Sequence, residues 1–130
     1  MSSTRTGAGR VLVAVYGVFA LAATARSLVQ LLTKADEAPL AYSLSAVAGL
    51  VYIAATLGLA EVGPSPRRLA WMAVGFELVG VLTVGTLTVF DSALFPDATV
   101  WSDYGSGYGW LPLVLPFVGI AWLWRTRPRG

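Results

Sequence analysis

The stretch "LAWMAVGFELVGVLTVGTLTVF", Leu69–Phe90, holds a single charged residue, Glu77. A helix needs about 20 predominantly apolar residues to cross the hydrocarbon core of a bilayer, and this run has that length. Working outward, the pattern recurs. Val11–Leu32 is apolar apart from Arg26 and Gln30, and Pro39–Ala60 carries no charge at all. A fourth run, Trp110–Trp124, is short for a span unless Tyr108 and Gly109 begin it. The spans are therefore expected at about 11–32, 39–60, 69–90 and 108–124. An outer loop is expected at 91–107, with polar tails at 1–10 and 125–130.

Composition agrees. The chain has 130 residues, 56% hydrophobic and 12% charged, with a mean hydropathy of +0.70. Soluble domains carry about 25% charged residues, so lipid is the natural solvent for this one. There is no Cys and no His. Thiol catalysis, disulfides and imidazole or thiolate metal sites are excluded. No cofactor is expected. The net charge of +2 is too small to indicate a nucleic-acid partner. Eight of the nine basic residues are Arg, and with the Ala, Gly and Val load this suggests a GC-rich bacterial genome.

The connections have the composition of turns. "TKADEA" (Thr33–Ala38) separates the first two runs, and "EVGPSPRR" (Glu61–Arg68) separates the next two. Pro39 and Pro112 suit first helical turns, where a missing N–H costs nothing. Pro116, further in, should kink its helix or be compensated by its neighbours.

Four spans would put Arg5, Arg10, Arg67, Arg68, Arg125, Arg127 and Arg129 on one side and Lys34 alone on the other. The positive-inside rule then predicts an N-in/C-in antiparallel four-helix membrane bundle in a bacterial cytoplasmic membrane. Arg5 and Arg10 followed by an apolar stretch and Ala23-Thr24-Ala25 also have the look of a cleavable leader. Against cleavage, Leu28–Leu32 continues the run to full span length. Both versions leave the remaining spans with one orientation.

Ionisable residues inside a span are costly, by about 2.5–3.5 kcal/mol on insertion scales, so they face protein and find partners. Arg26 and Glu77 are the two here. One reading is structural: a buried ion pair, or Arg26 snorkelling with Glu77 hydrogen-bonded. The others are proton or ion coupling and ligand binding, and the wider pattern admits a polar cavity lined by Arg26, Gln30, Tyr42, Tyr52 and Glu77. Tyr42, Ser45, Gly49, Tyr52 and Thr56 recur at spacings of three and four on one face, as do Tyr16, Phe19, Ala23, Arg26 and Gln30. Such small and hydroxyl-bearing faces also serve plain helix packing. Counted from the basic edges, Arg26 and Glu77 differ in depth by roughly 10 Å, so direct pairing requires tilt or a water bridge.

The outer loop supplies a second set: Asp97, Trp101, Asp103, Tyr104, Tyr108 and Trp110. Gly107-Tyr108-Gly109 matches the end of a potassium filter, but the preceding Thr-Val is absent. Asp91, Asp97 and Asp103 are spaced by six, unlike a calcium loop, and no metal site is expected. The rings fit an interfacial aromatic belt, and with Asp103 they form a candidate ligand or interface site.

Two resemblances complete the reading. Glu77 within "VGFELVG" is similar to the membrane glutamate of small multidrug transporters, but that family carries it on the first helix, not the third. The segments "VLVAVYGVFALAATARS", "EAPLAYSLSAVAGLVYI", "VGFELVGVLTVGTL" and "LFPDATVWSDYGSGYGW" together resemble a group of small integral membrane proteins of actinobacteria. That resemblance implies the four-span architecture and brings no activity with it. The expected function is a non-enzymatic accessory or interaction protein, packing on itself or on a larger membrane protein. The alternative is a small proton-coupled carrier using Glu77 with Arg26 as counter-charge.

Overall fold

A computed structural model describes residues 7–34, 36–91, 93, 99 and 101–127. Among these the chain is all-helical. The four α-helices are α1 (Gly7–Lys34), α2 (Pro39–Leu59), α3 (Pro66–Phe90) and α4 (Leu111–Arg125). A 3-10 segment, Ser102–Tyr108, precedes α4. α1, α2 and α3 are each long and apolar enough to cross a membrane, as expected of an integral membrane protein; α4 has 15 residues.

The helix limits follow local chemistry. Pro39, Pro66 and Pro112 stand in the first turns of α2, α3 and α4. The fourth helix starts at Leu111 rather than at Tyr108. Gly109 and Trp110 both hold positive φ, 66° and 65°, and a right-handed helix cannot run through left-handed residues. Pro116 lies inside α4, is fully buried, and the helix continues past it to Arg125.

α1 packs on α2, α2 on α3, and α3 on α4. Small residues set the closest approaches. A Cβ at Gly49 would lie 2.8 Å from Thr24 Oγ1, and one at Gly58 would lie 2.5 Å from the Ala70 nitrogen. Bare backbone at these points lets helices approach where lipid provides no hydrophobic drive. The end of α4 is held to the start of α3 by Arg67. Its guanidinium donates to the Leu123 carbonyl at 2.6 Å and to Thr126 Oγ1 at 3.2 Å. The Leu123 carbonyl is an orphan acceptor of a helix C-terminus, Thr126 Oγ1 itself donates to the Trp122 carbonyl, and a cation suits that end.

One core joins all four helices, with Tyr16, Phe19, Tyr52, Val74, Val81, Leu115 and Leu123 among its members, and Trp101 completes it. Large apolar side chains face outward as well, including Leu21, Met72, Phe76, Val79 and Phe117. Exposed apolar area of this extent is foreign to a soluble monomer and ordinary for a surface covered by acyl chains.

Candidate functional site

Glu77 sits near the middle of α3 and is completely buried. Its partner is Tyr16 of α1, whose hydroxyl donates to Glu77 Oε1 at 2.7 Å. Glu77 Oε2 has no hydrogen-bond partner among the described residues. Gly119 of α4 allows this arrangement. A Cβ there would lie 3.1 Å from both the Tyr16 hydroxyl and Val74 Cγ1. Three helices thus meet at the carboxyl, two of them through a tyrosine and a glycine.

An aromatic column rises from this point. The Tyr16 and Tyr52 rings are 6.1 Å apart, and Phe19 lies 5.6 Å from Tyr52 and 5.8 Å from Tyr108. Trp101 Nε1 donates to the Tyr52 hydroxyl at 3.1 Å, so the indole from the loop closes the column.

The residues expected to form one polar cavity divide into three places. Tyr52 joins Tyr16 beneath Trp101 in the same core as Glu77. Gln30 and Tyr42 are buried toward the α1–α2 turn, with Tyr42 in a separate cluster beside Ala38 and Ala41. Gln30 Oε1 has no partner among the described residues. Arg26 is exposed, and its Nη1 donates to the Tyr108 hydroxyl at 2.8 Å. The Arg26–Glu77 pairing is therefore not formed. Tyr16 is the α1 residue level with Glu77, and Arg26 lies ten positions further along, roughly 15 Å by helical rise.

The outer-loop set also separates. Trp101 is only 1% exposed, so its ring packs into the protein core and does not face outward as a belt residue would. Its slot is Gly80, where a Cβ would come within 2.6 Å of the indole. Tyr104 covers Gly85 in the same manner, and its hydroxyl shares a 2.8 Å hydrogen bond with Thr86 Oγ1. Asp103, Tyr104 and Gly105 all hold left-handed backbone angles, which turns the chain tightly onto α3. The Asp103 amide is bound to Thr88 Oγ1 at 2.8 Å while the residue stays exposed. Trp110 is half exposed, Tyr108 is tied to Arg26, and Asp97 lies outside the described residues.

Sequence reasoning missed Tyr16, Gly80, Gly85, Gly119 and Arg67 as organising residues. Tyr16 was legible as part of the α1 line, and Gly80 as a neighbour of Glu77; neither position reveals its long-range partner. Among the described residues, no three acidic side chains are grouped to hold a metal ion. Comparison with known protein families, curated proteins and solved structures gives no match.

Proposed function

We propose that this chain is a non-enzymatic accessory or interaction protein of a bacterial cytoplasmic membrane, packing on itself or on a larger membrane protein. In this reading it is an antiparallel four-helix bundle with both termini and the Glu61–Arg68 turn in the cytoplasm. The charge bias of Arg10, Arg67, Arg68, Arg125 and Arg127 supports that orientation. The observation that carries the function is the buried Tyr16–Glu77 hydrogen bond. The chain spends its costly intramembrane carboxyl on joining its own helices. Its apolar outer faces then remain for lipid and partners.

Gentle-detergent purification from the native membrane, followed by crosslinking and mass spectrometry, tests this. A stoichiometric membrane partner or a defined homo-oligomer is the expected result. A monodisperse single chain with no crosslinked neighbour counts against it.

A second reading, a proton-coupled carrier, rests on Glu77 Oε2, a buried carboxylate oxygen with no partner among the described residues. It does so without Arg26 as counter-charge, because that side chain is engaged with Tyr108. Proton-dependent uptake in proteoliposomes that disappears in Glu77→Gln would favour it.

A further inference from the structure

We propose that the groove between α1 and α2 is a retained-phospholipid site, with one acyl chain in the groove and the phosphate at Arg10. The groove is open and apolar, with a volume of about 420 Å³. Gly17 and Ala20 form part of its floor, and Leu21, Ile53 and Leu57 are exposed along its walls. Thr56 also lines it, but its hydroxyl is already donated to the Tyr52 carbonyl at 2.6 Å. The groove therefore asks for no polar partner, and a hydrocarbon chain meets its chemistry.

Position and charge argue for a lipid that carries a phosphate. Arg10, Ala14, Gly17 and Leu21 follow at spacings of four, three and four, which puts them on one face of α1. Arg10 is exposed, one turn below the groove. From Arg10 to Leu21 the helix rises roughly 16 Å, against about 15 Å for the hydrocarbon of one leaflet. A phosphate at the guanidinium thus places its chain end near the last wall residue. Arginine binds phosphate oxygens through its donor fork.

The experiment is native mass spectrometry of the full chain, released from micelles doped with phosphatidylglycerol, phosphatidylethanolamine or diacylglycerol. The wild type is expected to retain one phospholipid and to discriminate against diacylglycerol. Arg10→Gln should weaken that discrimination about fivefold, the worth of one interfacial cation. Gly17→Leu should lower retention of all three lipids. A Cβ at Gly17 meets only Thr56 Cγ2, at an ordinary contact distance of 3.8 Å, so a longer side chain is directed at the groove that Gly17 lines. Ala14→Leu, at an exposed position, repeats the test should Gly17→Leu fail to fold. Equal retention of diacylglycerol, or retention unchanged in the groove variants, overturns the proposal. So does a wild-type dimer that Gly17→Leu dissociates, since a second copy would then be the occupant.

Discussion

The Trp101 indole lies in the slot left by Gly80, one turn of α3 beyond Glu77. The contact is close enough that any side chain at Gly80 would meet the ring. The same ring donates to Tyr52, so a loop residue braces α2 against α3. The pairing makes a specific demand. Gly80→Ala should cost about 1–3 kcal/mol, the usual range for overpacking. Trp101→Ala should cost about 3–5 kcal/mol through the cavity it leaves. The two should not add, because the alanine methyl is harmless once the indole is gone. Thermal unfolding of both single variants and the double variant in detergent measures the coupling, and strict additivity would show that ring and glycine do not touch.

Tyr16 and Glu77 form the second pair to separate. Tyr16→Phe removes the donor and leaves both carboxyl oxygens buried without a partner. Its expected cost is about 1 kcal/mol, since hydrogen bonds inside membranes are worth about 0.6 kcal/mol on average and up to about 1.7. Glu77→Gln keeps an acceptor oxygen for the tyrosine and should lose less. Replacing both groups, Tyr16→Phe with Glu77→Leu, should be milder than the sum of the single changes, because no polar atom is stranded. If the double variant costs as much as that sum or more, the hydrogen bond is not what holds this site.

Arg26 supplies the contrasting case. It reaches Tyr108, and nothing described connects it to Glu77. Arg26→Gln and Glu77→Gln should therefore add within about 0.3–0.5 kcal/mol, as independent sites do. A buried ion pair behaves otherwise: loss of either partner costs about 3–5 kcal/mol, and the second loss is then small. Denaturation of the four-member set in one detergent decides between these outcomes.

What could be read in the sequence is governed by range. Span positions follow from local composition, so the runs around Val11, Pro39 and Leu69 announce their helices. Glu77 declares itself through cost alone, since one carboxyl among apolar neighbours must face protein. Its partner did not declare itself, because the Tyr16 contact joins positions 61 apart in the chain and depends on how α1 and α3 are levelled. The burial of Trp101 is hidden in the sequence for a related reason. Aromatics near a span end usually belong to the interface, and only the paired gaps at Gly80 and Gly85 draw Trp101 and Tyr104 inward. Those glycines are five positions apart and their rings three, a match that becomes visible once the left-handed turn at Asp103–Gly105 is known.

Arg67 offers a test at the other end of the molecule. Its two donors reach the Leu123 carbonyl and the Thr126 hydroxyl, so it closes the last turn of the short helix α4. A lysine carries the charge but not the planar fork, and it cannot reproduce both bonds in that geometry. Arg67→Lys should keep part of the favourable helix-end electrostatics, while Arg67→Ala loses both terms, at about 1.5–3 kcal/mol for hydrogen bonds from a charged donor. Because the bonds close one helix end, the loss should first appear as local fraying. Amide exchange at Leu123–Thr126 should accelerate in the order wild type, Arg67→Lys, Arg67→Ala, with protection in the middle of α3 held constant. Uniform acceleration across all helices would show instead that Arg67 supports the whole fold, and exchange unchanged at Thr126 would show that the guanidinium does not cap α4.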